Sequence, residues 1–569
     1  MKELIKSISK KEKIIIWLMI FSLIIAFAIP YFYLWKTAPP DHTWSGIHVL
    51  TGGDYNHYFG FIEQVKDGHW LFVDHYNSEG QIRNIFRPEW LVTGLIAKWF
   101  QLSNSFAMHL MASLLIIPFF WALYFLIAYF FKSFKKRLAA WLMILFASGM
   151  GVFSFFVIGI QDCYNGIFFH CPMDLWVSEI TVFLSAFNSP HFIYSYTLLI
   201  FILLFLFLGF DKGRLRYFIY AGLLTNLIVI SHTFNLPTIF LVSGMIVLWR
   251  VIKNKSLLIR PVLNYIIYLS LIIPSLGYVF YLFFFDQINI DKAAQNTCLT
   301  GSLLLSLVSY GLLFVLAVVG IIFILIKGKK LPNRFGYLII WAIIQTYLIY
   351  SPVVWQRRMT EGLGIAYGLL AIVAIFYLAE YLGKKYPKFF EIFKNPFLLL
   401  FPFVIFFALS NLYVYSNDFL VHGADLNTYH IYYPNEWQET FDWLDQNTDQ
   451  DSFVLAHHFM GSYLAANTGM TVYIGHPIET LDYNSKKIKS NWFFSDQGTL
   501  SEKIDFLVIE NLDYIVVTKY PFSLVGEDRM DRTILQNKEY FKFEFSSHDT
   551  AVYRLIKKTL PSPSCNCGR

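Results

Sequence analysis

The chain has 569 residues, of which 56% are hydrophobic, 19% aromatic and only 15% charged. A soluble domain of this size could not hide so much apolar surface, so the composition implies an integral membrane protein. The formal net charge of +6 does not point to nucleic acid, because the basic residues fall in short clusters between apolar runs, where they act as topology signals.

A membrane-crossing helix needs about 17–25 predominantly apolar residues, and such runs recur along the chain. The first, Ile14–Trp35, is too long in its core for a cleaved signal, and no small-residue cleavage site follows it. Further spans are predicted at Phe106–Phe131, Leu138–Ile160, Phe192–Phe210, Tyr217–Phe234 and Leu236–Ile252. Val262–Phe285, Leu303–Ile326, Phe335–Val354, Gly362–Tyr381 and Pro396–Tyr413 complete the set. That makes about eleven helices. The clusters "MKELIKSISKKEK", "KSFKKR", "DKGRLR", "RVIKNKSLLIR", "KGKKLPNR" and "GKKYPKFFEIFK" occupy alternate connections. Lys and Arg stay on the cytoplasmic side, so the N-terminus is expected inside and the segment after Tyr413 outside.

All five cysteines, Cys163, Cys171, Cys298, Cys565 and Cys567, then face outward. Cys163 and Cys171 share one short loop and could pair in an oxidising compartment; unpaired thiols are the alternative, and the odd count leaves at least one free.

The organisation expected is a membrane domain over 1–415, with an outer loop at 36–105, and an extracytoplasmic α/β domain over 416–569. In the latter "NEWQETFDWLDQN" and "TLSEKIDFLVIENL" read as helices, and "SFVLA", "DYIVVTK", "YFKFEF" and "TAVYRLI" as short strands. "GSYLAANTGMTVYIGHPIET" has the glycines and small residues of strand-to-loop turns.

Polar groups mark the candidate site. The spans hold almost no Asp, Glu, Lys or Arg; Asp54, His57, Arg87, Glu179, His191, His232, Arg357 and Arg358 gather instead at the outer ends. Transporters place ionisable residues near the bilayer midplane. Here the layout is that of an active site at the outer surface. Asp54 follows the Gly52-Gly53 pair and opens the helix-compatible run "DYNHYFGFIEQVKDG". Tyr55, Tyr58, Phe59, Ile62 and Val65 form its apolar stripe, predicted to lie along the interface with Glu63, Lys66 and Asp67 toward water. Asp54 is either a catalytic carboxylate or a helix cap. Arg87, between Phe86 and Trp90, binds a phosphate or snorkels to headgroups. Glu179 is the best second carboxylate, and His191 in "NSPHF" and His232 in "SHTFNLP" sit at helix mouths. Arg357 and Arg358 in "SPVVWQRRMTEG" break the charge rule for an outer end. They call for an anion, a lipid phosphate or an outer carboxylate, and only one of two neighbours on a helix faces a given cavity.

The cytoplasmic N-terminus, single span, large outer loop opening on an aspartate, further spans and outer C-terminal domain resemble the GT-C superfamily of membrane glycosyltransferases. Its bacterial protein O-mannosyltransferase-like and aminoarabinose-transferase-like members are the nearest in pattern. "DLWVSEITVFLSAFNSPHFIYS", "WQRRMTEGLG" and "TGMTVYIGHPIETLDYNSKK" are similar to segments of bacterial members. The resemblance implies transfer of a sugar, with inversion, from a polyprenyl-phosphate donor in the membrane lipid to an outer acceptor, which is a protein, lipid or glycan. It assigns to Asp54 the role of base or acceptor-positioning group. Many members carry two adjacent acids there, whereas Asp54 stands between Gly53 and Tyr55.

No cofactor motif is present. The chain has 15 histidines, including His457, His458 and His476 with Glu479, but none in a compact ligand spacing such as His-Glu-x-x-His. The pattern favours no metal, with a divalent ion as the open alternative. Nucleotide-sugar donors are disfavoured by the absence of a phosphate-cradling loop. The rival functions are a flippase or other transporter of lipid-linked sugars and a noncatalytic envelope scaffold.

Overall fold

The computed structural model describes residues 1–48, 50, 52–158, 171–254, 259–328, 331–387, 391, 394–420, 431–449, 451–518 and 533–556. The chain divides into two compact units. A membrane unit comprises Met1–Phe32 and Met108–Val421, and a loop–tail unit comprises Tyr33–Ala107 and His422–Arg569.

Among the described residues each of the predicted spans contains helix, and the chain is a multi-pass membrane protein. Among the described residues seven helices are long and apolar enough to cross a bilayer: Lys10–Lys36, Asn104–Phe130, Pro190–Lys212, Thr233–Lys253, Leu303–Lys327, Gln356–Lys385 and Pro396–Leu420. Two expected spans are bent pairs, Phe134–Phe146 with Gly151–Val157 at 42° and Ile259–Leu271 with Ile273–Phe285 at 44°. The remaining two are shorter helices, Leu215–Ser231 and Arg334–Leu348. The causes of the bends are local. Pro274 opens the second half of one pair, where it lacks an N–H and disfavours a helical predecessor. The other breaks at Ala147-Ser148-Gly149-Met150.

That second break is matched by a kink at Gly311, whose φ of +47° interrupts Leu303–Lys327. The Met150 N–H donates to the Val308 carbonyl at 2.9 Å, three residues before the kink. A side chain at Gly149 would stand 2.0 Å from the Ser309 carbonyl oxygen. The broken span thus finds a backbone partner in the neighbouring helix, as irregular structure at membrane depth requires.

In the loop–tail unit β1 (His42–Trp44) pairs antiparallel with β2 (Tyr432–Pro434). A five-stranded sheet contains β3 (Phe453–Leu455), β4 (Thr471–Val472), β5 (Tyr514–Val517), β6 (Phe541–Ser547) and β7 (Thr550–Leu555), in the order β4-β3-β5-β7-β6. β3 runs parallel to β4 and β5, and β7 antiparallel to β5 and β6. Strand alternation sorts the core. Val454, Val516 and Val552 pack with Trp437, Phe441 and Leu464, whereas Leu455, Ile515 and Val517 pack with Phe493, Phe506 and Leu507. Helices Asn435–Asn447 and His458–Thr468 thus serve one face, and Tyr483–Phe494 and Leu500–Ile509 the other. The last opens on a capping box between Thr499 and Glu502.

Two expectations about this unit need correction. "GSYLAANT" is helical, within His458–Thr468. Its Gly461 is there for clearance, because a Cβ would fall 2.1 Å from the Ile474 carbonyl oxygen. The helix Gly52–Lys66 packs against both Pro88–Phe100 and His458–Thr468, so Glu63, expected toward water, is buried. It accepts from Asn104 Nδ2 at 2.7 Å and Lys66 Nζ at 2.8 Å. Tyr55, Phe59, Ile62 and Val65 are buried too. With Phe61 added, the helix has apolar residues on more than one face, and it is a core element of its unit. Of the cysteines, Cys298 is reduced and buried and Cys171 is disulfide-bonded; Cys163, Cys565 and Cys567 lie outside the described residues.

One close helix–helix approach tests the packing. A Cβ on Gly320 would meet the Leu370 carbonyl oxygen at 2.2 Å, and small residues permit such approach in membranes. Gly320→Val should destabilise the purified chain by about 1–3 kcal/mol, the usual cost of overpacking, seen as a lower Tm in detergent. An unchanged Tm would mean that the two helices are not tightly apposed.

Candidate functional site

Asp54 lies in the first turn of Gly52–Lys66, and its carboxylate is 30% exposed. Its Oδ1 is 3.2 Å from Nε2 of the buried His476. The other ring nitrogen fixes this contact. His476 Nδ1 accepts from the backbone N–H groups of Ile478 at 3.1 Å and Glu479 at 3.2 Å. Within the same turn the Thr480 N–H donates to the His476 carbonyl at 2.9 Å. A nitrogen that faces two N–H donors must be the unprotonated one, so the neutral ring carries its proton on Nε2 and donates it to Asp54. Gly53 lies beside this contact, where a Cβ would stand 3.4 Å from Nε2, an ordinary van der Waals distance.

Two histidines of this unit show what governs the electrostatics. Burial pushes His75 down to about 3, and the charge of Arg83 adds to the fall. Burial also pulls His476 down, but the hydrogen bond and charge of Asp54, with Glu479 and Asp74, outweigh it and leave the imidazole above its ordinary value. The two amides at Nδ1 oppose a second ring proton, while the carboxylates favour it. Nε2–H is present in either form, so Asp54 keeps its donor.

Beside this pair three further groups converge. His57 Nδ1 is 3.9 Å from Asp74 Oδ1, and His57 Nε2 is 3.9 Å from Glu479 Oε2. One donor atom from each of the three lies within 4.8 Å of the others, the arrangement among the described residues that could hold a metal ion. Asp74 is rigidly held: its Oδ1 accepts from the Tyr76 N–H and its Oδ2 from Asn77 Nδ2, both at 3.0 Å. Asn77 Oδ1 in turn accepts from the Leu481 N–H at 2.8 Å.

Arg87, the other site residue predicted in this unit, precedes Pro88 at the start of Pro88–Phe100. Its neighbour Trp90 stacks on Tyr58 at 4.6 Å.

The membrane unit holds the remaining predicted residues: Glu179 and the two arginines lie on the short turns Ser178–Ile180 and Gln356–Thr360, His232 directly precedes the turn Thr233–Asn235, and His191 is in the first turn of the helix Pro190–Lys212. Glu179 Oε1 accepts from Arg358 Nη1 at 2.7 Å, so Arg358 pairs with a carboxylate, one of the partners foreseen for it. The Arg357 guanidinium lies over the Trp176 ring, 4.6 Å from its centroid. His191 receives or donates a hydrogen bond at Ser189 Oγ, 2.9 Å away, and its ring is 5.7 Å from that of His232. His232 Nδ1 is 3.1 Å from Oε2 of the fully buried Glu361, which also accepts from Asn235 Nδ2 at 3.0 Å. Burial pushes the Glu179 carboxyl up, but the Arg358 and Arg357 guanidiniums outweigh it and hold it below the usual range.

Sequence reasoning missed Asp74 and the position of Glu361, and it set His476 and Glu479 aside for want of compact spacing. Asp54 and His476 are 422 residues apart, a separation that no local pattern reports. The glycine pair before Asp54 was the one available signal.

No protein-family model matches the chain, and no curated protein matches it. Among solved structures it is similar to ArnT from Cupriavidus metallidurans bound to undecaprenyl phosphate, at 12% identity over 95% of this chain and 98% of that one, with a TM-score of 0.49. It is similar to the oligosaccharyltransferase AglB from Archaeoglobus fulgidus in complex with an inhibitory peptide and a dolichol-phosphate, at 14% identity, 96% and 75% coverage and a TM-score of 0.48. It is also similar to the arabinofuranosyltransferase AftD from Mycobacteria, at 13% identity and a TM-score of 0.47, covering 94% of this chain and 41% of that one. At TM-scores below 0.5 these likenesses assign neither an activity nor a substrate.

The Glu179–Arg358 pair carries a stability prediction. Removing one member of a buried pair costs about 3–5 kcal/mol, so Glu179→Gln should lower the unfolding midpoint markedly, and Arg358→Met added to it should recover much of the loss. Because the folded pKa of Glu179 is depressed, its contribution is complete above the ordinary value of about 4.3 and fades as pH falls through the lower folded value. Unfolding measured from pH 7 to pH 3 should show the parent losing more stability than Glu179→Gln. Parallel curves would remove Glu179 from the account.

Proposed function

We propose that the chain is a GT-C-type membrane glycosyltransferase that takes a sugar from a polyprenyl-phosphate donor at the outer face of the cytoplasmic membrane. The observation that carries this is the Asp54 carboxylate, partly exposed and steered by the tautomer-fixed Nε2–H of His476, in a chain otherwise built from apolar spans. A hydrogen bond to one carboxylate oxygen orients the group without neutralising it. That suits a base, or a group that positions an acceptor.

In the step proposed, an acceptor hydroxyl or amine passes its proton to Asp54 as its oxygen or nitrogen bonds to the anomeric carbon. The bond from that carbon to the phosphate oxygen breaks with inversion, and polyprenyl phosphate leaves with the electron pair. The leaving group needs charge neutralisation more than protonation. Arg87, in the same unit as Asp54, is the candidate for that role.

Orientation can be checked directly. Ser103→Cys and Gln446→Cys, both at exposed positions, should react with an impermeant maleimide on intact cells. Lys384→Cys should react only after permeabilisation. The reverse pattern would put Asp54 in the cytoplasm and end the proposal.

For catalysis, the purified chain is given a panel of radiolabelled polyprenyl-phosphate sugars and an envelope extract as acceptor. Asp54→Asn should lower transfer about 10²–10⁴-fold, the range for loss of a general base, with the Tm near that of the parent. Arg87→Lys keeps the charge but loses the planar fork and should raise the KM for donor. Parent-like turnover by Asp54→Asn would reduce Asp54 to a structural residue. Movement of labelled lipid across the bilayer without transfer would favour a flippase.

A further inference from the structure

The geometry points to a divalent transition-metal site in the loop–tail unit, formed by His57, Asp74 and Glu479 and excluding Asp54. The proposal does not depend on the glycosyl-transfer reading.

The spacing is the first argument. At 3.9 Å neither His57–Asp74 nor His57–Glu479 is a hydrogen bond, which needs about 2.7–3.2 Å between heavy atoms. An imidazole drawn to two carboxylates by hydrogen bonding alone would close on at least one of them. Donor atoms each about 2.1 Å from a common ion stand roughly 3.0–3.6 Å apart. The three groups, with donor atoms within 4.8 Å of one another, are therefore too far apart for hydrogen bonds and within about 1 Å of ligation distance. Rotation of the Glu479 and His57 side chains covers that difference.

The support around the ligands is the second argument. The buried Asp74 has its carboxylate fixed by the Tyr76 N–H and Asn77 Nδ2, and its own N–H donates to Gln81 Oε1 at 3.0 Å. Gln81 Nε2 returns to the carbonyls of Asp74 and Asn77, both at 2.8 Å. Glu479 sits on the turn whose N–H groups are tied to His476 Nδ1. Metal ligands are characteristically held this way by hydrogen bonds from behind. His57 and Glu479 remain partly open, with side chains 14% and 19% exposed against 0% for Asp74, so an ion has an entry path.

Charge is the third. Three carboxylates, Asp54, Asp74 and Glu479, meet two imidazoles here, a balance that favours a cation. One imidazole and two carboxylates suit Zn²⁺ or Mn²⁺ better than Mg²⁺ or Ca²⁺, which prefer all-oxygen sets. Three protein ligands leave a position open for water or a substrate oxygen.

The test uses metal alone. Full-length protein in detergent is stripped with EDTA, and Zn²⁺ and Mn²⁺ are titrated separately against it. Bound ion is counted by mass spectrometry and its effect on Tm recorded. The expected result is about one ion per chain and a rise in Tm. Affinity should fall more than tenfold in His57→Gln and Glu479→Gln, about 10–100-fold in Asn77→Ala behind the ligands, and hardly at all in Asp54→Asn. Melting in EDTA shows whether each variant is folded; should His57→Gln fail, the more exposed Glu479→Gln decides the matter. No ion bound by the parent, parent-like affinity in folded Glu479→Gln, or an equal loss in Asp54→Asn would each overturn the assignment. Because no sugar is involved, failure here leaves glycosyl transfer standing, and failure of transfer leaves the metal site standing.

Discussion

A single imidazole, bonded on both sides, orders the polar contacts around Asp54 in the loop–tail unit. Backbone N–H groups from Ile478 and Glu479 occupy one nitrogen of His476, and the other can then only present a proton to Asp54. The turn that makes those donors converge is short and carries Pro477, whose fixed φ presets it. Gly475, just before it, leaves room for Tyr76, since a Cβ there would be 2.6 Å from that ring. A carboxylate near the surface of an enzyme is common. One whose donor is fixed by backbone geometry, through a histidine far away in sequence, is a stronger sign that its orientation matters.

The same unit shows why the first loop and the tail have to be considered together. Gly52–Lys66 is buried by the tail helix His458–Thr468 on one side and by Pro88–Phe100 on another. Asn56 Nδ2 donates to Ser462 Oγ at 3.1 Å, and the Tyr76 hydroxyl donates to the Ser462 carbonyl at 2.9 Å. Asp54, His57 and Asp74 therefore come from the loop, whereas His476 and Glu479 come from the tail. The membrane unit solves a different problem. There Glu179 pairs with Arg358, and the fully buried Glu361 accepts from Asn235 Nδ2, as polar groups kept in a low-dielectric interior require.

Much of the architecture was legible in the sequence because it depends on runs and periods. Long apolar stretches gave the spans, and the strands "SFVLA" and "DYIVVTK" were short apolar runs between turn signals. The shortfalls have physical reasons. A span bent at Ser148-Gly149 or before Pro274 is still one apolar run, so its bend does not show in hydropathy. "GSYLAANT" looked like turns because Gly461 is needed for clearance rather than for a left-handed backbone. Glu63 was placed toward water on the assumption that a polar residue marks the wet face, whereas Asn104 and Lys66 bury it. Asp54 stood out through the glycines before it. The partners that give it meaning are tertiary contacts, and one chain without its fold contains no record of them.

The central claim is that Asp54 works as an acceptor-facing carboxylate whose orientation His476 supplies. It is tested most directly by single-turnover transfer from a polyprenyl-phosphate sugar across pH, comparing the parent with His476→Gln and His476→Leu. Gln can still donate an N–H to Asp54 and should keep most of the rate, with the acid limb of the profile little moved. Leu cannot, and should lose about one to two orders of magnitude, of the size of a misdirected general base, while donor affinity is unchanged. Equal rates and superimposable pH profiles for the Leu variant and the parent would contradict the account.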